Sequence, residues 1–490
     1  MVKERVIRTL IVAIGIAALL TGGCLPNEAD KEKAYIEGNG DNKHLEGTES
    51  FGAALDVNEY ENNTSVVEPG DSFALILDKG NKDLFAGYSV DESFLSWVWT
   101  TYGKEKVLTL ANQVSAGNTD ANQWYQLTGR SIHVLWMEYC RTLGYSSYTL
   151  DTVNWKEDNA DGKITMDFIG DINFDENWYT TQYMDSQAGG FDACISEEIR
   201  AELQSADITM INNEFTYSDG GEALAGKDYC FRANPSRVEL LKKLGTDIAS
   251  LGNNHAYDYG EDALLDTMRI IRNAGIPYIG AGKNIEEAME PQYFIVNGRK
   301  IAIISATQIE MFSNYTKEAT EENAGVLKAK NPEKTVQAIE KAKKNSDYVI
   351  VYIHWGTEGE LRCSPTQKGL AETFVEAGAD VIIGNHPHRL QGTDVIDGVP
   401  VVYSLGNFWF STGTLYTAIA QIQIDREGVI SLHMIPCIQK NLTTSMITDV
   451  NEQTAFEDYL QQSSGESELT YSGTHDLEGR EVDIVGNLRE

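Results

Sequence analysis

The strongest constraint in this chain is a layout that recurs six times: a short apolar run that stops at a polar cluster. Ile164-Thr165-Met166-Asp167-Phe168-Ile169 leads to Gly170-Asp171. Ile208-Thr209-Met210-Ile211 leads to Asn212-Asn213-Glu214. Ile248-Ala249-Ser250-Leu251 leads to Gly252-Asn253-Asn254-His255. Residues 348–353 lead to His354-Trp355-Gly356, and Val381-Ile382-Ile383 to Gly384-Asn385-His386-Pro387-His388. Val401-Val402-Tyr403-Ser404-Leu405 leads to Gly406-Asn407. Runs this short and this rich in Ile and Val read as strands buried on both faces. Helical spacing between several of them, over 236–244, 263–274, 332–344 and 367–377, makes the alternation one of strand and helix. That is the pattern of an α/β layer architecture. In such sheets a ligand site lies beyond the carboxyl ends of the strands, which is where all six clusters fall.

Taken singly, each cluster has a plain structural explanation. His386-Pro387-His388 is compatible with a surface loop, Asp171 with a turn or helix cap, and Asn254-His255 with Asp258 as a helix start. Taken together they read differently. Four of the eight histidines (His255, His354, His386 and His388) sit in these clusters. Extended backbone would turn His386 and His388 to the same side, and Pro387 stiffens the link between them. Asp171, Glu214, Asn254, His354, His386 and His388 form a donor set suited to Mn, Fe or Zn. The set is large enough for two divalent ions sharing a carboxylate. His255 could protonate a leaving oxygen, with Asp258 orienting its ring.

The remaining sequence sets the surroundings. Acidic residues outnumber basic ones by 74 to 39, a formal charge of −35. That excludes a general nucleic-acid binder, since phosphate backbones would be repelled. Residues 1–24 read as an export signal: Lys3, Arg5 and Arg8, then an uncharged run from Thr9 to Leu20, then small residues and Cys24. The run is too short for an ordinary membrane span, which needs roughly 20 residues. Leu20-Thr21-Gly22-Gly23-Cys24 resembles a bacterial lipoprotein signal, with lipid attached to Cys24. Residues 25–70 are acidic and punctuated by Asn and Gly, and read as a solvated tether. Residues 71–150 read as a small, mostly helical module with an aromatic core. The motif-bearing domain spans 161–462, and 463–490 is a polar tail. Five cysteines besides Cys24 leave at least one unpaired, with Cys194 and Cys230 a conceivable pair.

The ordered motifs carry a family resemblance. Gly170-Asp171, Asn212-Asn213-Glu214, Asn253-Asn254-His255 through Gly260, His354 through Glu358, Gly384 through His388, and Tyr403 through Phe408 look like the bacterial CapA/PgsA family. That family comprises capsule-synthesis and poly-γ-glutamate biosynthesis proteins of the calcineurin-like metallophosphatase superfamily. The resemblance implies a four-layer α-β-β-α sandwich with two divalent ions (Mn, Fe, Zn or Mg) at strand ends. It implies metal ligands at Asp171, Glu214, Asn254, His354, His386 and His388, with Glu214 bridging, and His255 as the general acid. Asn173, Asn212, Asn253, Glu358, Arg389 and Asn407 fall beside these positions. Asn173 stands where phosphatases of the superfamily usually carry a histidine.

Three functions follow as expectations. The first is a lipid-anchored protein on the outer face of the cell membrane, acting in capsule polymer synthesis or export with an anionic polymer or its synthase complex as partner. The second is a secreted metal-dependent phosphoesterase. The third is a non-catalytic polymer-binding scaffold.

Overall fold

The computed structural model describes residues 97–106, 109, 122–131, 134–135, 138–139, 152–309, 315–464, 470–472 and 482–485. The stretches read as an export signal and an acidic tether, with Cys24, and also Cys140, lie outside the described residues. So do most of the 71–150 module and much of the polar tail. Among the described residues no helix is long and apolar enough to cross a membrane.

The chain divides into two compact units. The smaller holds the described residues up to Asp158 with Ile295–Lys300 and Lys344–Asp347. Its helix Asn122–Thr128 carries Tyr125, over whose ring the Arg299 guanidinium lies at 3.9 Å. Val134 and Ile295 pack with Val153 and Trp155, and Arg130 is paired with Asp158 at 2.8 Å.

The larger unit is a four-layer sandwich. In chain order its main elements are β1 (Ile164–Ile172), α1 (Glu197–Ser205), β2 (Ile208–Asn213), β3 (Ile248–Ser250), α2 (Gly260–Asn273) and β4 (Tyr278–Ile279). Then come β5 (Gln292–Val296), β6 (Arg299–Thr307), α3 (Glu333–Asn345), β7 (Tyr348–His354), α4 (Pro365–Ala377) and β8 (Val381–Asn385), of which the end of β5, the start of β6 and the end of α3 count with the smaller unit. Last are β9 (Thr393–Ile396), β10 (Val399–Val402), β11 (Asn407–Trp409), β12 (Leu415–Ile424), β13 (Ile430–Lys440), β14 (Thr443–Met446), α5 (Val450–Ser464), β15 (Thr470–Ser472) and β16 (Val482–Val485).

The first sheet runs β15-β16-β13-β12-β1-β2-β3-β4, with β11 beside β1 and β14 beside β13. Its β1–β4 half is parallel and its β12–β13 half antiparallel. The second sheet runs β5-β6-β7-β8-β10-β9, with β6, β7, β8 and β10 parallel. The sheets pack face to face. Phe168 stacks on Tyr352 with centroids 6.3 Å apart, the Tyr352 hydroxyl donates to the Ile169 carbonyl at 2.6 Å, and Ser250 meets Ser305 at 2.7 Å.

Alternation sets the layers. Phe168 points to the other sheet, while Ile169, Ile211 and Ala249 join Ile199 and Leu203 of α1 and Leu264, Met268 and Ile271 of α2. Helices α3 and α4 flank the second sheet, burying Ala338, Ile339, Leu370 and Phe374. Local chemistry sets the boundaries of α4: Ser364 and Gln367 form a capping box, Pro365 opens the helix, and Gly378 closes it at φ 110°.

This is the expected four-layer α/β architecture. Two element readings need correction. The run 401–405 is not one strand: β10 ends at Val402, and Leu405 makes only an isolated bridge to Leu390. Cys194 and Cys230 are both free thiols, so that pairing does not form.

Candidate metal centre

The strand register gathers the polar clusters into one row. Asp171 on β1 lies opposite Asn212 on β2 and Asn407 on β11, and Asn212 lies opposite Ser250 on β3. In the second sheet His354 ends β7 opposite Asn385 of β8. Between Phe168 and Asp171, β1 carries one residue more than β2, a bulge that re-aims the strand end. Gly170 sits in that bulge because a Cβ there would overlap the Gly406 carbonyl oxygen, which accepts the Asp171 N–H at 3.0 Å. Gly384 is needed for the same reason, against the Tyr403 carbonyl and the Trp355 indole.

Asp171 Oδ1 accepts from Asn212 Nδ2 at 2.7 Å, and its Oδ2 faces His388 Nδ1 at 3.3 Å. His354 Nε2 is 2.7 Å from Asn254 Oδ1, 3.1 Å from His386 Nδ1 and 3.4 Å from a Glu214 oxygen. His388 Nδ1 is also 2.8 Å from Asn407 Oδ1. Asn253 bridges Asn212 Oδ1 and the Asn213 carbonyl at 3.0 Å each, and its own Oδ1 accepts the His255 N–H. His255 Nδ1 meets Asp258 Oδ2 at 2.7 Å, and its Nε2 lies 3.9 Å from Glu214. Asp258 also accepts the Phe231 N–H at 2.7 Å and pairs with Lys227.

Burial divides the ionisable groups. It pushes the His354 imidazole down to about 3 although Asp171 opposes it, and it drives His386 well below the ordinary range, helped by His354 and His388. Both rings are therefore neutral, the form that ligates a cation. Burial opposes a charge on His388 too, yet Asp171 and Glu214 raise that imidazole to about 10. Asp171 is held below the usual carboxylate range against its burial, by His388, His354 and Asn212. Glu214 is raised well above it, by burial and then by Asp171.

Two groups could each hold a metal ion: Glu214 with His354 and His386, and Asp171 with Glu214 and His388. Within each, the ligand atoms lie within 4.8 Å of one another. Glu214 belongs to both. It is fully buried, and neither carboxylate oxygen has a hydrogen-bond partner; Asp171 Oδ2 and Asn254 Nδ2 are orphaned in the same way. Buried polar atoms are paired in folded proteins, so orphans of this kind mark a place for an ion or water. The donors are carboxylate and imidazole, which suit a first-row divalent ion. The residues therefore fit divalent metals.

The remaining expected residues fall around these groups. Asn212, Asn253 and Asn407 orient the ligands. Glu358 is exposed, but its charge reaches Glu214 and His388. Arg389 is half-buried with its backbone against Gly406, and belongs to neither ligand group. Asn173 is buried, with its Oδ1 turned onto the Asp175 N–H.

One geometric expectation fails. His386 and His388 are not extended: their φ angles are 98° and 56°, left-handed values that are strained for any residue but glycine. The strand ends at Asn385, and the strained turn sends each imidazole to a different ligand group. Sequence reasoning also missed Lys227, a buried cation whose Nζ donates to the Asn254 carbonyl at 2.8 Å and pairs with Asp258. It missed Phe231 and Phe410 as well, which pack on His255 and His388 with centroids at 4.6 and 4.9 Å. None of the three stands at the end of an apolar run, the one signal that pointed to the centre.

A four-layer α/β sandwich with a carboxylate–imidazole cluster where its two sheets end defines an α/β protein with a candidate divalent-metal centre. The family model described as bacterial capsule synthesis protein matches residues 165–412, and the chain belongs to that family. It is 32% identical over 298 residues to the capsule biosynthesis protein CapA of Bacillus anthracis, covering 56% of this chain and 67% of that protein. It is 31% identical over 283 residues to the PGA biosynthesis protein CapA of Bacillus subtilis (strain 168), covering 56% and 72%. A probable polyglutamine synthesis accessory protein of Mycobacterium tuberculosis is 28% identical over 215 residues, covering 42% and 56%. Among solved structures, a hypothetical protein from Thermus thermophilus aligns at a TM-score of 0.34 and 14% identity, over 56% of this chain and 99% of that one.

Proposed function

We propose that this chain is a lipid-anchored protein of the outer cell surface that acts in synthesis or export of a capsule polymer, poly-γ-glutamate, through a hydrolase-like centre for two divalent cations. The names of its relatives support the polymer, and the signal-like residues 1–24 support the anchor. One observation carries the centre: Glu214 is buried, unpartnered and common to both ligand groups. Asp171, His388 and Glu214 would hold one cation, and Glu214, His354, His386 and Asn254 Oδ1 the other. Such a pair supplies Lewis-acid polarisation and neutralises charge on a substrate oxygen. The chain's own proton carrier is His255. Burial lowers its pKa, although Asp258 opposes this, so the ring rests neutral with its Nδ1–H given to Asp258. Nε2 is then the free nitrogen on the Glu214 side, able to take a proton and return it to a leaving group. Lys227 and the Phe231 N–H hold Asp258 in place for that task.

The test is an in-frame deletion complemented with the wild type or with Glu214→Gln. Surface polymer should fall or change in length in the deletion, recover with the wild type and stay low with Glu214→Gln. Unchanged polymer in the deletion removes the capsule role. Full recovery with Glu214→Gln favours a scaffold whose centre is not used. The His255–Asp258 pair facing Glu214 supports a second reading, a metal-dependent phosphoesterase. Absence of turnover of an aryl phosphate by the full chain with Mn, Fe, Zn or Mg would remove it.

A further inference from the structure

We infer that Asn173 donates a hydrogen bond to an anionic oxygen of the ligand bound at this centre, and that it is not a metal ligand; the inference rests on the two-cation reading above. Asn173 follows Asp171 by two residues. Its neighbours Ile172 and Phe174 both lie in the core packed against the helices. Asn173 therefore shares the face of Asp171, toward the centre.

The orientation of its amide is settled by its partner. Oδ1 accepts the Asp175 N–H at 2.7 Å, and a backbone N–H can only donate, so the oxygen end is the one in the turn. Nδ2 is the end left over. It is buried and has no hydrogen-bond partner. The turn is held from several sides: Asn173 N–H donates to the Trp409 carbonyl at 3.2 Å, and Asp175 accepts the Asn177 N–H at 2.9 Å and the Arg232 N–H at 2.7 Å. Swinging the Asn173 oxygen toward a cation would strand the Asp175 N–H in the interior, which is costly.

A buried –NH2 without a partner calls for an acceptor. Neither Asp171 oxygen takes it: Oδ1 accepts from Asn212, and Oδ2, like Asn173 Nδ2, has no hydrogen-bond partner. The acceptor that suits the position is an oxygen carried in by the ligand, from a carboxylate or phosphoryl group. The two ligand groups support this. Glu214, His354 and His386 have Asn254 Oδ1 alongside, and Asp171, Glu214 and His388 have Asn407 Oδ1, so neither group needs an amide oxygen from residue 173. Asn173 stands two residues from Asp171 of the second group, with a donor to offer.

The experiment uses the full chain loaded with Mn and inorganic phosphate as the probe, with metal content measured separately. Asn173→Asp keeps the shape and the acceptor for the Asp175 N–H but exchanges the –NH2 for an oxygen. Asn173→Ala removes the amide, and if it does not fold, Asn173→Asp carries the test alone. Both variants should retain wild-type metal content. Phosphate affinity should fall about tenfold or more in Asn173→Ala, and further in Asn173→Asp through like-charge repulsion. Loss of one ion per chain in Asn173→Ala would make Asn173 a ligand and overturn the inference. Full metal content with unchanged phosphate affinity would overturn it alone, leaving the centre intact. A wild type that binds no divalent cation would overturn the two-cation reading and this inference with it.

Discussion

Glu214 is the residue on which the centre turns. A buried carboxyl group with two unpartnered oxygens is a burden to a chain without cations and an asset to one that holds them. After chelation, Glu214→Gln should therefore be more stable than the wild type, by about 1–3 kcal/mol. With divalent metal present the order should reverse. Calorimetry with and without EDTA checks this, and the same order in both conditions would mean that Glu214 binds no ion. Lys227 should behave in the opposite sense. Lys227→Met leaves Asp258 buried and uncompensated, and should cost about 3–5 kcal/mol by chemical denaturation whatever the metal content. The candidate ligands that the structure gathers were legible in the sequence because each is a metal-binding residue type placed straight after an apolar run. Lys227 was not, because it lies in a glycine-punctuated loop of mostly exposed residues and is buried only by its tertiary partners.

At the scale of elements, the parallel strands that stop at a polar cluster were legible, whereas the parallel strands β4 and β6 and the antiparallel ones were not. Strands β1, β2, β3, β7 and β8 are Ile- and Val-rich runs with a polar stop. The long hairpin of β12 and β13 alternates buried and half-exposed residues over parts of its length and ends in no such cluster. The His386–His388 turn was misread because its left-handed backbone is imposed by tertiary packing, which nothing in a His-Pro-His triplet announces. The close meeting of strand ends gives a firm expectation for Gly170→Ala. Its methyl group would collide with backbone that cannot move aside, destabilising the fold by about 2–3 kcal/mol and loosening metal binding with it. A second expectation concerns acid. Arg237 joins Glu176 at 2.5 Å and Asp185 at 2.7 Å, and its hydrogen bond holds the Glu176 carboxyl below its usual range against partial burial. With the folded pKa below the unfolded one, that contribution is full above about pH 4.3 and fades as the pH falls through the folded value. Arg237→Met should cost about 1 kcal/mol at neutral pH after solvent screening, and less in acid. A stability difference that grows in acid would show the pairing to be unimportant.

At the scale of the molecule, the fold class and the family were both legible, because six short motifs in a set order suffice to place the chain. The smaller unit was not, since its described residues carry no motif and its strand Val153–Trp155 is only three residues long. The proposed anchor has its own test. Cys24→Ser should abolish incorporation of labelled fatty acid and release the protein from the membrane fraction; unchanged incorporation would place the lipid elsewhere or remove it.

The clustering of Asp171 and Glu214 from one sheet with His354, His386 and His388 from the other also bears on when a cation can be taken up. No half of the domain owns a complete set of donors, so a nascent chain has nothing to offer until His388 has emerged and both sheets have closed. With the centre proposed above, cation choice would be deferred to the end of folding, and the ions surrounding the finished domain, rather than those met during translation, would decide what it carries.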